Sequence, residues 1–290
     1  MILVFGGTGT IGGAVLRQVA DSGTPVRAAV RSPERAGALA GPATETVVAD
    51  LGDPGTLGPA LDGVEAVFLA SPGSADQVEL EGNLVTAAAE AGVPVVKLAA
   101  LGYDAVPPEE AIRFGANHAR VVQRLRDSGV PFTVLAPSGF MSNFLANAAG
   151  VRDGVLYGSA GDGDGDGGVA WIDPDDVGAV AAHVLTTGGH EGASYTLTGP
   201  EVLTFAQVAE RLAEVSGHDV RYVDVPGPDF EQSLRSAGLD EWTAAAVTEL
   251  HQLYRTHASG VVTDEVQKAT GRAPRSFADW LAANREAFTG

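Results

Sequence analysis

The stretch MILVFGGTGTIGGAV, residues 1–15, decides the fold because it turns a strand into a helix within a few residues. Residues 1–5 are apolar and largely β-favouring, whereas the apolar side chains after residue 10 recur at steps of three and four. Five glycines fall among residues 6–13, between the two patterns. They therefore occupy a tight connection between a buried strand and the first helix.

The same change of pattern repeats along the first half of the chain. Short apolar runs predict strands, and the longer segments between them predict helices. The predicted strands are residues 2–5, 25–30, 45–48, 65–70, 94–99 and 131–136, and the predicted helices are 10–22, 33–40, 54–62, 75–91 and 110–128. Strands that alternate with helices of this length form βαβ crossovers. We therefore predict an α/β fold with a doubly wound parallel sheet of the Rossmann type.

The rhythm changes from about residue 137. The sequence predicts further strands at GVAWI (168–172), SYTLTG (194–199) and VRYVDVP (220–226), and a mostly helical last sixty residues. One helix begins after Asp173, which precedes Pro174 at the first helical position. We divide the chain into a Rossmann domain, residues 1–137, and a smaller C-terminal substrate lobe, residues 138–290, with interleaved packing at the ligand-binding edge of the sheet.

Composition limits the classes of partner. The 37 acidic and 18 basic residues give a formal charge of −19, which disfavours nucleic acid and anionic lipid surfaces. There are no cysteines, so disulfides and thiolate chemistry are excluded. No apolar run approaches 18 residues, and the strand at 2–5 leaves no room for a signal peptide. We expect a cytoplasmic protein, and the oligomeric state stays open.

The spacing of the glycines favours a nucleotide phosphate as the ligand. Gly6, Gly7, Gly9 and Gly12 fit both G-x-x-G-x-x-G and G-x-G-x-x-G. Such a turn lets a pyrophosphate approach the backbone, and the N–H groups at the start of the helix then hold it. Because the pattern lies between a first strand and a first helix, it predicts dinucleotide binding.

The end of the second predicted strand indicates which dinucleotide. An acidic residue there usually holds the ribose 2′-hydroxyl of NAD, whereas an arginine accommodates the 2′-phosphate of NADP. The chain reads VRAAVRSPER, which places Arg31 at the end of the strand, Ser32 next to it and Arg35 one turn later. A solvated basic loop is the alternative. In so acidic a protein, this local cluster favours NADP(H).

Six blocks together carry a family resemblance. They are GGTGTIGG, AVVADLGDPGTLGPALDGVEAVFLASP, VVKLAALG, HARVVQRLRDSGVPFTVLAPSGFMSNF, GVAWIDPDDVGAVAAHVL and YTLTGPEVLTFAQVAERLAEVSG. In this order they resemble the NmrA-like branch of the atypical short-chain dehydrogenase/reductase family, whose members include quinone oxidoreductases. The resemblance covers nearly the whole chain and implies an NADP(H)-binding Rossmann domain with a small substrate lobe.

The resemblance also implies positions around the cofactor. It places the pyrophosphate turn, the adenine, the ribose and the nicotinamide along the carboxyl edge of the sheet. The implied residues are Thr8, Thr10 and Ile11 at the turn, Asp50 and Leu51 at the adenine, Ala70, Ser71 and Pro72 at the ribose, and Pro137, Phe140 and Asn143 near the nicotinamide.

The catalytic residues of the wider family are absent from this sequence. Its dehydrogenases use Ser, Tyr and Lys, and no Tyr-x-x-x-Lys occurs here. Alignment by eye places Ala99, His118 and Val122 at those three positions. His118 is the first candidate for a proton donor, although it is equally compatible with a helix-capping role. Tyr103 is the second candidate, and Lys97 either reaches the cofactor or pairs with a buried carboxylate.

Two further groups of residues have alternative interpretations. Phe140, Met141, Phe144 and Trp171 form the apolar wall of a substrate pocket, to which Asn143 is added as a substrate contact, or they form part of the domain interface, and both can hold at once. The acidic stretch DGDGDGGVAWID matches the start of a calcium loop, but an aspartate, residue 173, stands where a bidentate glutamate is expected and a strand follows. We therefore predict a solvated hairpin tip and no metal site.

Three functions are compatible with these residues. The first is an NADPH-dependent reductase of a small apolar carbonyl, enone or quinone-like compound, with a place in secondary metabolism implied by the family. Such conjugated compounds can take their proton from water, so the absence of Tyr and Lys does not forbid reduction. The alternatives are a redox sensor that binds NADP(H) without turnover, which the missing triad favours, and a non-redox rearrangement or cyclisation enzyme that retains the cofactor.

Overall fold

The computed structural model describes residues 1–39, 41–161 and 167–289. Its strands are β1 (Ile2–Val4), β2 (Val26–Val30), β3 (Glu45–Val48), β4 (Ala66–Leu69), β5 (Val95–Leu98), β6 (Phe132–Pro137), β7 (Val155–Gly158), β8 (Ser194–Leu197) and β9 (Arg221–Asp224). Its α-helices are α1 (Thr10–Asp21), α2 (Leu57–Leu61), α3 (Gln77–Ala91), α4 (Arg113–Ser128), α5 (Ala148–Arg152), α6 (Pro174–Thr186), α7 (Phe205–Ser216), α8 (Gly227–Ser236), α9 (Glu241–Tyr254), α10 (Glu265–Thr270), α11 (Phe277–Ala283) and α12 (Arg285–Phe288). The prediction of a helix at 33–40 is wrong, since a 3₁₀ segment, Pro33–Ala38, stands there, and the predicted helix at 54–62 begins with another, Pro54–Thr56, before α2.

Seven strands form one parallel sheet in the order β3-β2-β1-β4-β5-β6-β8. The chain runs outward from β1 to β3, then returns to β4 beside β1 and continues in the other direction. The direction of winding therefore reverses between β1 and β4, which is where open α/β sheets bind their ligands. The predicted doubly wound Rossmann sheet is confirmed.

Helices cover both faces of this sheet and bury its apolar strands. One core cluster includes residues of β1, β2, α1 and α6, and the other face is closed by a cluster that includes residues of α2, α3 and α4. An added Cβ at Gly178 would lie 2.8 Å from Ala14, so the absence of a side chain lets α6 pack closely on α1. As predicted, α6 begins at Asp173, whose carboxylate accepts from the backbone N–H of Asp175 at 3.0 Å.

The C-terminal lobe is built around aromatic rings and a two-stranded parallel sheet of β7 and β9. The ring of Phe144 packs edge-on against those of Trp171 and Phe277 at 4.7 and 5.6 Å. Helix α7 has a capping box, in which the side chains of Thr204 and Gln207 each accept from the other residue's backbone N–H. These contacts fix the lobe against the last helices of the chain.

The predicted strand at GVAWI is wrong. Val169 pairs with Leu203 in an antiparallel bridge, whereas Ile172 pairs with Phe140 in a parallel one. Because the two partners belong to different segments, the apolar run crosses between the sheet and the lobe instead of extending either sheet. Its apolar character reflects burial on both sides.

The chain leaves the first sheet after β6 and returns to it. Strand β8 pairs with β6 as the seventh strand, and α6 packs on α1, although both follow residue 137. The boundary between residues 1–137 and 138–290 stays a prediction, and residues of the second part complete the first. Among the described residues, no helix is long and apolar enough to cross a bilayer.

Candidate functional site

We call the turn between β1 and α1, residues 6–12, the glycine turn. Backbone atoms lie so close to two of its glycines that no side chain would fit there. Gly6 has φ +80°, in the left-handed region that favours glycine. A Cβ at Gly6 would lie 2.8 Å from the Ala70 carbonyl oxygen, and one at Gly12 would lie 2.2 Å from the Gly6 carbonyl oxygen. The N–H of Gly9 donates to the Gly6 carbonyl at 2.9 Å and closes the turn.

The start of α1 fits an anionic ligand. Gly9 caps this helix and brings no side chain to its first N–H groups, and the first turn contains no acidic residue. Thr8, Gly9 and Thr10 are exposed, while Ile11 is half-buried against the sheet core. Free N–H groups and the positive end of the helix dipole together attract a phosphate. The glycine turn therefore fits the pyrophosphate of a dinucleotide.

Arg31 is exposed directly after β2, and Arg35 is exposed in the 3₁₀ segment that follows. Between them, a hydrogen bond with the Ser32 side chain holds the pKa of the exposed Glu34 below its usual value. The exposed guanidinium of Arg31 at the end of β2 fits a 2′-phosphate better than a bare hydroxyl.

The turn after β3 holds the next two predicted residues. The carboxylate of Asp50 accepts from the Gly52 N–H at 2.9 Å, and the carbonyl of Leu51 accepts from the side-chain amide of Asn83 at 2.8 Å. Both residues are half-buried. This turn follows the strand next to β2, which places it at the same sheet edge as Arg31.

A buried polar group lies under the carboxyl ends of β4 and β5; we call Ser71, Gln77, Glu81, Lys97 and His118 the Lys97 network. Lys97 and Glu81 are both 0% exposed, and the lysine Nζ lies 3.0 Å from Glu81 Oε2. The hydroxyl of Ser71 donates to Glu81 Oε1 at 2.8 Å, and the amide of Gln77 donates to it at 3.3 Å. Ser71 therefore connects the loop beside the glycine turn to the buried ion pair.

His118 lies in α4 against this ion pair. Its Nδ1 is 3.4 Å from the Nζ of Lys97. Desolvation by burial, followed by the charge of Lys97, lowers the pKa of His118 well below its usual value. Burial also lowers the pKa of Lys97, and the carboxylate of Glu81 opposes that change. The structure therefore favours a neutral imidazole at neutral pH.

Tyr103 lies in the loop after β5 and is only 3% exposed. Its ring packs with Ala99, Val122, Val134 and Ala136. Ala99 and Val122, which the alignment by eye sets against the Ser and Lys of the wider family, both lie in this apolar cluster. Burial of the Tyr103 side chain favours packing over contact with a substrate.

The residues after β6 divide into two groups. Pro137 and the half-buried Phe140 lie at the carboxyl edge of the sheet, and the exposed Asn143 donates its N–H to the Phe140 carbonyl at 3.1 Å. By contrast, Met141, Phe144 and Trp171 are 0, 2 and 2% exposed. Burial of the second group in the lobe core favours the interface alternative and leaves little surface for a substrate. The half-buried Ser71 and exposed Pro72 follow β4 at the same edge.

Two other features lie outside the site as described. Asp162, Asp164 and Asp166 of the calcium-loop comparison fall outside the described residues. A groove of about 910 Å³ lies between α8, α9 and the start of α4. As the described residues place it, its lining includes neither the glycine turn nor His118. The Phe114 ring, 5.5 Å from that of Trp242, lies between this groove and the loop after β4.

The sheet order and the glycine turn define a Rossmann-type domain built to hold a dinucleotide. The sequence profile of the NmrA-like family matches residues 1–281, and the chain belongs to that family, as the resemblance predicts.

Known relatives match over almost the whole chain. The NAD(P)H azoreductase of Xenophilus azovorans is 38% identical over 290 residues, 99% of each protein. A (4-alkanoyl-5-oxo-2,5-dihydrofuran-3-yl)methyl phosphate reductase of Streptomyces griseus is 40% identical over 293 residues, again 99% of each. The NADPH-dependent quinone oxidoreductase of Escherichia coli, crystallised with NADPH, superimposes with a TM-score of 0.87 at 30% identity, over 98% of this chain and 99% of that one.

Sequence reasoning missed two members of the Lys97 network, Gln77 and Glu81, and of these Glu81 forms the ion pair. Glu81 stands on the buried side of α3, three residues before the buried Leu84. A carboxylate on the apolar face of a helix and a lysine inside an apolar strand are each costly to bury alone. Their joint presence was the signal that could have paired them.

Proposed function

We propose that the chain is an NADPH-dependent reductase of small quinone-like compounds. The observation that carries the proposal is the glycine turn at an unobstructed α1 N-terminus, together with Arg31 where NAD-binding domains place a carboxylate. The relatives, reductases that use NAD(P)H or were crystallised with NADPH, support the same cofactor and the same class of oxidoreductase.

Each part of the sheet edge has a separate task in this proposal. The glycine turn and the first N–H groups of α1 bind the pyrophosphate, and Arg31 with Arg35 contacts the 2′-phosphate. Asp50 and Leu51 flank the adenine. The remaining contacts come from the loops after β4 and β6, with Ala70, Ser71 and Pro72 beside the ribose and Pro137 and Phe140 beside the nicotinamide. Bound NADPH supplies two electrons as hydride, and the protein orients the reactants and excludes water.

His118 is the proposed proton donor to the reduced substrate. A neutral imidazole still carries one N–H, which can donate to an oxygen on which negative charge develops. Lys97 contacts other protein groups at its Nζ, so we assign it to the support of His118 and not to the cofactor. Asn143, exposed near Phe140, is the proposed polar contact for the substrate.

The redox sensor remains the second candidate because the Tyr-x-x-x-Lys pair is absent. A sensor must bind NADP⁺ and NADPH with different affinities and consume neither. A small apolar compound as substrate, the absence of nucleic acid partners and a cytoplasmic location stay predictions from the sequence.

The test is NADPH oxidation by the purified protein with a panel of quinones, azo dyes and enones, with NADPH affinity titrated in parallel. We expect substrate-dependent loss of NADPH absorbance and slower turnover with NADH. Gly12→Ala provides the matched inactive control, because its methyl group would enter the phosphate turn. Tight NADPH binding without oxidation of any compound in the panel would contradict the reductase and favour the sensor.

A further inference from the structure

All three N–H bonds of the Lys97 ammonium have an acceptor within the protein. Its Nζ contacts the Glu81 carboxylate, the Leu98 carbonyl and Nδ1 of His118. An ammonium group has three donors and no acceptor. Lys97 is therefore saturated, and its side chain, 0% exposed, has no surface to offer a cofactor or substrate.

This contact determines which nitrogen of His118 carries the proton. Because the ammonium can only donate, Nδ1 must accept, and a neutral ring then carries its proton on Nε2. His118 is half-buried, and among the described residues its ring has a hydrogen-bond partner only at Nδ1. Nε2–H is then the donor left for a partner outside the Lys97 network.

We propose that the buried Glu81–Lys97 pair is the positioning device of the proton donor: it fixes His118 in the Nε2–H form and replenishes its proton through Nδ1. The fixed tautomer follows from the Lys97–His118 contact together with the positive charge that Glu81 stabilises on Lys97, whereas the replenishment rests on the proposed reductase function. His118 is the group that touches substrate, and Lys97 and Glu81 act through it.

The proton balance closes with solvent. When a quinone oxygen gains negative charge from the delivered hydride, Nε2 gives it a proton and Nδ1 takes one from the Lys97 ammonium. The neutral amine beside Glu81 then regains that proton from Nδ1 as Nε2 takes one from water, which leaves hydroxide in the solvent. One hydride and one water-derived proton enter the substrate, and the network returns to its starting state.

The burial of the pair dictates which variant can test it. Removing one partner leaves an uncompensated buried charge and is strongly destabilising, whereas replacing both is often nearly neutral. The test variant is therefore Glu81→Gln with Lys97→Met, which leaves the net charge unchanged. Its matched control is Asp264→Asn with Lys268→Met, which removes the other lysine of the chain from an exposed pair of 2.6 Å.

The first measurement is ¹⁵N NMR of the ring nitrogens in protein labelled at its six histidines, with His118→Gln used for assignment. In the parent protein we expect a proton on Nε2 and an Nδ1 signal shifted by a hydrogen bond. The double variant should lose that shift, and the pKa of its His118 should rise because the neighbouring positive charge is gone. A proton on Nδ1 in the parent protein, or an unchanged Nδ1 signal and titration in the variant, would overturn the proposed positioning.

The second measurement is steady-state reduction of a quinone that the parent protein reduces. The double variant should lose about tenfold in kcat, with KM for NADPH unchanged, and the control pair should match the parent protein. A changed tautomer with unchanged kcat would overturn the replenishment step. If the parent protein reduces no quinone, the reductase proposal fails, while the NMR result still decides the positioning.

Discussion

The glycine turn and the Lys97 network lie at the same edge of one sheet, but the turn presents backbone atoms and the network consists of side chains. The turn acts through its backbone, is exposed at residues 8–10, and offers the first N–H groups of α1 because the capping Gly9 brings no side chain to them. The network is made of side chains around a fully buried ion pair of 3.0 Å, which joins α3 to β5.

Because of this difference, we expect the glycine turn to govern cofactor binding and the Lys97 network to govern turnover. A backbone cradle holds any pyrophosphate with little dependence on pH, since N–H groups do not titrate. A buried set of ionisable groups can instead be set to one protonation state by desolvation and by neighbouring charges. Variants of the turn should therefore change cofactor affinity, and variants of the network should change turnover.

The largest effect is expected for Gly12→Ala. Its Cβ would lie 2.2 Å from the Gly6 carbonyl oxygen and 2.8 Å from the Gly7 nitrogen, so the turn must open. We expect NADPH affinity to fall by about 100-fold or more, in line with a strain of about 3 kcal/mol. Titration of NADPH by intrinsic fluorescence measures this. Gly58→Ala is the matched control, since its methyl group meets nothing within 4 Å; equal affinities for the two variants would refute a tight turn.

The second effect concerns the choice of cofactor. Arg31→Glu replaces a charge-assisted contact with repulsion, so NADPH affinity should fall by about 10- to 100-fold while NADH affinity changes little. Arg221→Glu makes the same charge change at an exposed position of β9 and should leave both affinities unaltered. Equal losses for NADPH and NADH would show that Arg31 does not contact the 2′-phosphate.

The two regions also differ in how far the sequence predicts them. The glycine turn is local, since its residues and their spacing occur within one short stretch, and the seven parallel strands follow from repeated patterns. The Lys97 network joins residues 71, 81, 97 and 118 from four separate elements, and no local pattern gives their distances. His118 and Lys97 were predicted one by one, but their contact depends on the packing of α3 and α4 against β5. The strand prediction for GVAWI was wrong for a related reason. An apolar run that is buried from two sides has the same composition as a strand.

The third prediction tests the donor. His118→Leu removes the N–H that we assign to proton donation, so kcat for quinone reduction should fall about tenfold. This is less than a general acid usually contributes, because a conjugated substrate can take its proton from water. NADPH affinity should not change. His118→Gln, which restores an N–H, should recover part of the loss, and unchanged kinetics in His118→Leu would remove this residue from the site.

The smallest effect is expected for Ser71→Ala, because Ser71 lies where the glycine turn and the Lys97 network meet. Its hydroxyl donates to Glu81 at 2.8 Å, and the family resemblance also places it beside the ribose. Loss of one such hydrogen bond costs about 1 kcal/mol, so Ser71→Ala should change one measured constant by several-fold. If Ser71 acts through Glu81, the change appears in kcat, and if it contacts the ribose, it appears in the affinity for NADPH. Ser74→Ala, in the same loop, is the control, because among the described residues its hydroxyl makes no hydrogen bond. We expect the change in kcat, since a hydroxyl that donates to a buried carboxylate has its only proton engaged there.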